Sequence, residues 1–415
     1  MTASTAALGG AGPTAAAEVE DVEMAAELRE PSSDADKREK FIPVTRHALI
    51  ERLTRSHVWA PGQAAHARRF LRYLSYWRGQ SYNKRLLELE QIYEPFSPDS
   101  DLLITRRFTG AEKLDMQHRV VNEMADLLRK ANYVQVDTSK VEAILTKESH
   151  YGLDLEIDLK AFDELLVFYR GATSRKSSKR TLRKLYLFKE EFDVPIFQRL
   201  FMLFKLKSVE ARVEELMRER NLERAEAEKQ VKKLRSILPS EVRSDYIYMK
   251  LFKNLPQTDL EMVFPNGKVK FRLFDKLKLG VSAGGGIGMG VVGTATKIAV
   301  ATNPIALAGA VAGLGGIAAR QAVNFMNQRT KYMVTLAQNL YFHAMADNRG
   351  VMTLLCDRAA EEDVKEEALL YSVLAKSRVH TSELQHVDEA IEQYLMNSFG
   401  VDANFDIYDA LKRLK

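Results

Sequence analysis

The stretch from Leu279 to Ala319 holds one charge, Lys297, and eleven glycines in forty-one residues. An apolar run of that length exceeds an ordinary core helix, and lipid offers the backbone no hydrogen bonds, so a segment buried there must be helical. Two crossings of about 20 residues each fit, with Asn303-Pro304 near the turn. Gly284 and Gly288, Gly286 and Gly290, and Gly309 and Gly313 are each four apart, the spacing that lets membrane helices approach closely. Both flanks are basic: Lys268, Lys270, Arg272, Lys276 and Lys278 precede the run, and Arg320, Arg329 and Lys331 follow it. Positive flanks put both ends on the inner side, which an even number of crossings satisfies. The expectation is a two-helix transmembrane hairpin over 279–319, packed through these glycines and Pro304, with the lipid bilayer as partner. A buried glycine-rich helical pair in a soluble core and a re-entrant hairpin remain as alternatives.

Elsewhere the chain reads as folded and unevenly charged. Residues 1–40 carry nine acids and four bases, leaving a net +10 for the remainder of a chain whose total is +5. That head lacks the basic, acid-poor character of a presequence and reads as a disordered tail. A lone cysteine, Cys356, rules out a disulfide framework within the chain and suits a small buried side chain better than a nucleophile.

Helical spacing links Phe70, Tyr73, Leu74 and Trp77 and continues through Leu86, Leu89 and Tyr93. A second helix is expected over 111–131, and alternation of Leu153, Leu155, Ile157 and Leu159 with acids predicts a short strand. Residues 209–235 carry fifteen charges in twenty-seven positions around a thin apolar stripe, a charged helix or helical hairpin able to pair with a protein partner. Asn266-Gly267 between Leu260–Phe264 and Lys268–Phe274 predicts a β-hairpin. A helical stripe follows through Met326, Met333, Ala337, Leu340 and Ala344. The C-terminal stretch reads as capped helices, with Ser382 and Gln385 as a capping box, Gly400 as a stop and Asp406 as a cap, compatible with a winged-helix-like unit.

No chemical constellation stands clear. Gly288-Met-Gly290-Val-Val-Gly293 matches a dinucleotide fingerprint, but the next acid is Asp347, too far on for the ribose. Gly280-Val-Ser282-Ala-Gly284 matches a nucleophile elbow, with Asp357 and His380 following in a permitted order that chance supplies easily. The eight histidines form no metal-ligand spacing, and no cofactor is expected. From Arg68 to Arg85, cations alternate with Phe70, Tyr73, Tyr76, Trp77 and Tyr82, a pattern suited to single-stranded nucleic acid, though aromatics turned into the core are the simpler expectation. Arg175, Lys176, Lys179, Arg180, Arg183 and Lys184 form a second basic cluster, readable as a patch for anionic lipid headgroups or a partner, or as a solvated loop.

Several stretches are similar to one family. Phe162–Gly171, Pro195–Leu200, Leu251–Pro256, Asp259–Pro265 and Asn404–Leu411 resemble motifs of domain of unknown function 3754, which includes animal transmembrane protein 143. The resemblance implies a two-helix membrane segment after the Leu-Glu-Met-Val-Phe-Pro block and brings no activity or catalytic residues.

The resulting expectation is a mainly α chain with small β elements. It divides into a tail (1–40), a mainly helical soluble domain (41–208), a charged helix or hairpin (209–240), a helix and β-hairpin (241–278), the membrane hairpin (279–319) and a helical C-terminal module (320–415). Its expected role is a membrane-anchored scaffold or adaptor in a bacterial inner membrane with both termini cytoplasmic, or alternatively in a mitochondrial membrane. A nucleic-acid-associated protein is the second reading, with nucleic acid the less favoured partner, and an enzyme using a nucleotide cofactor the third.

Overall fold

The computed structural model describes residues 38–101, 106–145, 153–180, 189–271 apart from 237, 240, 258–259, 261–262 and 266–267, and 341–414. In chain order the helices and strands begin with α1 (Arg46–Leu53), α2 (Gln63–Tyr93), α3 (Gly110–Lys130), β1 (Val134–Val136), α4 (Thr138–Leu145) and β2 (Leu153–Glu156). Then come β3 (Phe162–Arg180), β4 (Lys189–Leu206), α5 (Val209–Arg220), α6 (Arg224–Arg235), β5 (Tyr248–Pro256) and β6 (Lys268–Phe271). The last are β7 (Ala344–Asp347), α7 (Asn348–Leu374), α8 (Leu384–Phe399) and α9 (Ile407–Leu414). Two units emerge, Ala65–Val364 and Met1–Ala64 with Lys365–Lys415, and the division falls within α7.

The first unit is built on a five-stranded antiparallel sheet in the order β1-β3-β4-β5-β7. Strand β4 is its centre, and successive residues point to opposite faces. Phe201 and Leu203 join Phe168, Met249 and Leu251 beneath helices α2, α3 and α7, whose Leu89, Met124, Leu128, Met352 and Leu355 complete that core. Leu200, Met202 and Phe204 face the other way, with Val167, Tyr248, Phe252, Leu260 and Phe264. Phe204 stacks on Tyr248 across the strands at 5.0 Å. Arg85 on α2 bonds Glu123 and Asp126 on α3, at 2.7 and 2.6 Å, fixing the two helices against each other.

This sheet corrects the expected fold class. Helices still predominate, but strands of nineteen and eighteen residues in a five-stranded sheet are not the small β elements expected. Tyr248–Pro256 is a strand where a helix was expected, because a partner strand with matching apolar faces waits on β4. The expected hairpin about Asn266-Gly267 is also corrected: β6 pairs with β2, Leu153 opposite Phe271 and Glu156 opposite Lys268, while Leu260 and Phe264 are core residues outside any strand. Ala344 opens strand β7, not the last turn of a helix.

The membrane element is corrected as well. No helix among the described residues is long and apolar enough to cross a membrane, against the expected transmembrane hairpin and integral-membrane placement. The segment 279–319, with Gly284, Gly286, Gly288, Gly290, Gly309, Gly313 and Pro304, lies outside the described residues.

In the second unit, helices α1, α8, α9 and the C-terminal part of α7 come together. Trp59 stacks on Tyr371 at 6.3 Å, and buried Lys365 donates to the carbonyl of Ile42 at 2.6 Å. Gly400 ends α8 in the left-handed region and Asp406 caps α9 through the amide of Asp409. The cap preceding α8 is a reciprocal pair of His380 and Glu383 instead of Ser382 with Gln385. No strand occurs among the described residues 348–414, so the winged-helix expectation fails for want of a wing.

Residues 38–40 fasten to this helical group. Arg38 pairs with Glu392 at 2.8 Å, Lys40 with Asp406 at 3.0 Å, and the Glu39 carbonyl accepts from Asn404. Asp388 sits among these acids. Burial, then Glu392 and Asp406, push its carboxyl up to about 6, against the pull of the Ile407 amide and Arg38. A raised carboxyl pKa gives stability that is full below the unfolded value and is lost as pH rises through about 6. Asp388→Asn should therefore raise stability at pH 8 by about 1 kcal/mol once solvent screening is allowed for, read as a higher melting temperature. The gain should vanish near pH 4, and thermal melts at both pH values check it.

Candidate functional site: an exposed aromatic and basic helix face

Helix α2 presents two unlike faces. Ala67, Leu71, Tyr82, Leu89, Ile92 and Tyr93 are buried, and this mainly aliphatic stripe is the one the core takes. The aromatic stripe turns outward: Tyr73 is 64% exposed, Tyr76 66% and Trp77 50%. The expectation that these rings pack in the core is thus corrected. Two stripes competed for one core-facing side, and the ring-rich one lies on the opposite side of the helix. Positions 73, 76 and 77 share one face at helical spacing and span about 6 Å of helix axis.

The charge around them is one-sided. Six cations and no acid occur from Gln63 to Leu87. Arg69, Arg72 and Lys84 are exposed, and Arg78 lies over the Trp77 ring at 4.9 Å. Arg85 is committed elsewhere, to Glu123 and Asp126. A row of open rings flanked by cations can offer stacking surfaces and phosphate contacts together.

The second basic cluster is placed differently. Arg175, Lys176, Lys179 and Arg180 lie on β3, while Arg183 and Lys184 fall outside the described residues. Their strand runs beyond the reach of β1, which pairs no farther than Tyr169, and of β5, which pairs with β4 no farther than Ile196. Residues Thr173–Arg180 therefore form a two-stranded ribbon with Lys189–Ile196, and the register sets Lys176 opposite Asp193 and Lys179 opposite Glu190. A solvated loop is not what holds the first four of these residues.

The match to known families falls on this sheet. Residues 162–350 match the family model of DUF3754, described as a protein of unknown function. The DUF3754 stretch opens on the first residue of β3 and closes on the third residue of α7, so it takes in the whole β3–β4 ribbon, helices α5 and α6, and strands β5 to β7. Helix α2 precedes it. No solved structure matches the chain.

Within the DUF3754 stretch, the charge-dense residues form two short helices joined through Asn221 in the left-handed conformation. Their apolar stripe of Val213, Leu216, Ala227 and Val231 is buried between them. What this hairpin turns outward is charge, held in pairs such as Arg218–Glu214 and Arg224–Glu228.

Both glycine patterns, 280–284 and 288–293, lie outside the described residues. Asp357 is exposed on α7, and His380 caps a helical turn. Burial pushes the Cys356 thiol up to about 12, against the pull of Arg85, so its reactive thiolate is suppressed at neutral pH. Among the described residues no group of three or more His, Cys, Asp or Glu is arranged to hold a metal.

Proposed function

We propose that this protein binds single-stranded nucleic acid through the outer face of α2. The observation that carries the reading is the exposure of Tyr73, Tyr76 and Trp77 within a stretch that has six cations and no acid. Open rings stack on any base, and neighbouring arginines meet the phosphates, so binding of this kind is tolerant of sequence and sensitive to salt. The narrower likeness to animal transmembrane protein 143 rests on the quoted motifs and adds no activity.

Fluorescence anisotropy of the full chain with a labelled single-stranded oligonucleotide tests the proposal. Three exposed cations, Arg69, Arg72 and Lys84, imply a log–log salt slope of about −2. Trp77→Ala and Tyr73→Ala should each weaken binding about tenfold, within the range for losing one stacked base. Binding with no salt dependence, or unchanged in both variants, sinks the idea. If an acidic peptide displaces the oligonucleotide and binds more tightly at equal charge, the same face is a protein-docking surface and the scaffold or adaptor reading replaces this one.

A further inference from the structure

Gly79 stands near the middle of α2, in a helix that runs unbroken from Gln63 to Tyr93. A glycine inside a helix costs stability relative to alanine, so its presence calls for a local reason. Two common reasons do not hold. The described glycines with positive φ are Gly62, Gly171 and Gly400, and Gly79 is not one of them. Nor does it let a neighbouring element pack close, because a Cβ built there would meet nothing within 4 Å among the described residues.

What surrounds the position is the aromatic and basic face. Positions 72, 76, 79 and 83 follow one another at steps of three and four, so they form one row along the helix. Arg72, Tyr76 and Asn83 in that row are exposed. Tyr73, Trp77, Gln80 and Lys84, also exposed, make the adjacent row. The first row is therefore broken by an open gap one turn from the Tyr76 ring, floored by the helix backbone. A helical Cα–Cβ bond leans toward the N-terminus, so a long side chain at 79 would lie in the space beside Tyr76. The backbone N–H and C=O groups of that floor bond within α2, which leaves a surface for van der Waals contact alone.

Resting on the nucleic-acid reading of α2, this arrangement separates the parts of a bound strand. Rings take bases and cations take phosphates. The sugars join the two and must pass between them, where a bulky side chain would stand in their way. Arg72 and Lys84 lie about 18 Å apart along the helix axis, with Gly79 between them. Glycine is the residue that lets a ligand approach the helix backbone most closely. We propose that the sugar–phosphate backbone of the bound strand crosses α2 directly over Gly79, its bases stacked on Tyr76 and Trp77 and its phosphates set toward Arg72 and Lys84.

Two measurements of opposite sign test the crossing. Gly79→Ala should raise the melting temperature of the full chain by about 2 °C, through helix propensity alone. The same variant should weaken binding of a labelled single-stranded oligonucleotide about fivefold by anisotropy, and Gly79→Leu should weaken it further, because each crowds the strand. Ser81→Ala also gains helix propensity, but about 160° around the helix from Gly79, and should leave binding unchanged. An all-abasic strand of the same length, titrated at low salt, should show the same proportional loss with Gly79→Ala, since its sugars and phosphates are intact. Binding unchanged in both Gly79 variants while Trp77→Ala weakens it overturns the crossing and leaves the nucleic-acid face standing. A loss matched by Ser81→Ala, or one that vanishes with the abasic strand, overturns it as well, the latter by putting a base over Gly79. If the wild-type chain binds no oligonucleotide, the reading of α2 and the crossing fall together.

Discussion

Asn348→Ala is expected to destabilise the protein by about 3 kcal/mol, through two separate losses at one position. Asn348 opens α7 with a φ of 43° and is 3% exposed. Its Oδ1 accepts the amide of Met249 at 3.0 Å, and its Nδ2 donates to Asp99 at 2.7 Å. The first bond matters most, because Met249 is fully buried on β5 and its N–H has no water to turn to. Alanine removes both bonds and also resists the left-handed backbone, a penalty of roughly 1–2 kcal/mol by itself. Asn348→Gly separates the two terms: it tolerates the φ but cannot accept from Met249, so it should fall between wild type and the alanine variant. Asn348→Asp keeps an acceptor for Met249 but sets a carboxylate against Asp99, so its deficit should shrink as pH falls through the carboxylate range. Chemical denaturation of the four proteins checks the order. An alanine variant as stable as the glycine one would mean the backbone conformation carries no cost.

How much of this was legible in the sequence depends on what each signal encodes. Helices α2 and α3 could be read because one face repeats at helical spacing, and caps such as Gly400 and Asp406 are local chemistry. The pairing of Thr109 with Glu112 at the head of α3 was equally readable as a capping box. Strand β4 was not, because it is buried on both faces: Leu200, Phe201, Met202, Leu203 and Phe204 form one unbroken apolar run with no alternation to mark a strand. The Asn266-Gly267 turn signal misled because strand pairing is decided over long range, and β6 finds its partner more than a hundred residues earlier in β2. The outward rings of α2 were present in the sequence as a second stripe, yet spacing alone does not say which stripe the core takes. The burial of Arg212 between Asp158 and Glu215 had no signature at all, since a thin hairpin with fifteen charges does not show which of them folding covers.

Gly171→Val should cost about 3 kcal/mol, with Gly171→Ala lower at about 2, because the position combines backbone strain with a blocked Cβ. Its φ is 71°, and a Cβ built there would lie 2.5 Å from Oε1 of Gln198 and 2.9 Å from that residue's own Cβ. The long end of the glutamine can swing aside, since Gln198 is exposed, but its Cβ is tied to strand β4. The location explains why the chain accepts a left-handed residue in the middle of a strand. Val134–Val136 pairs with β3 only as far as Tyr169, and the β3–β4 ladder resumes at Ala172 opposite Phe197 without a slip in register. Gly171 thus stands where the packed sheet gives way to the two-stranded ribbon that bears Arg175, Lys176, Lys179 and Arg180, and its freedom lets β3 turn there while keeping its partner. Combining Gly171→Ala with Gln198→Ala should recover only the part of the loss due to the glutamine's outer atoms. The conformational part, roughly 1 kcal/mol or more, should persist in the double variant. Full recovery would show that the clash alone enforces glycine, and that the positive φ at this junction carries no energetic weight.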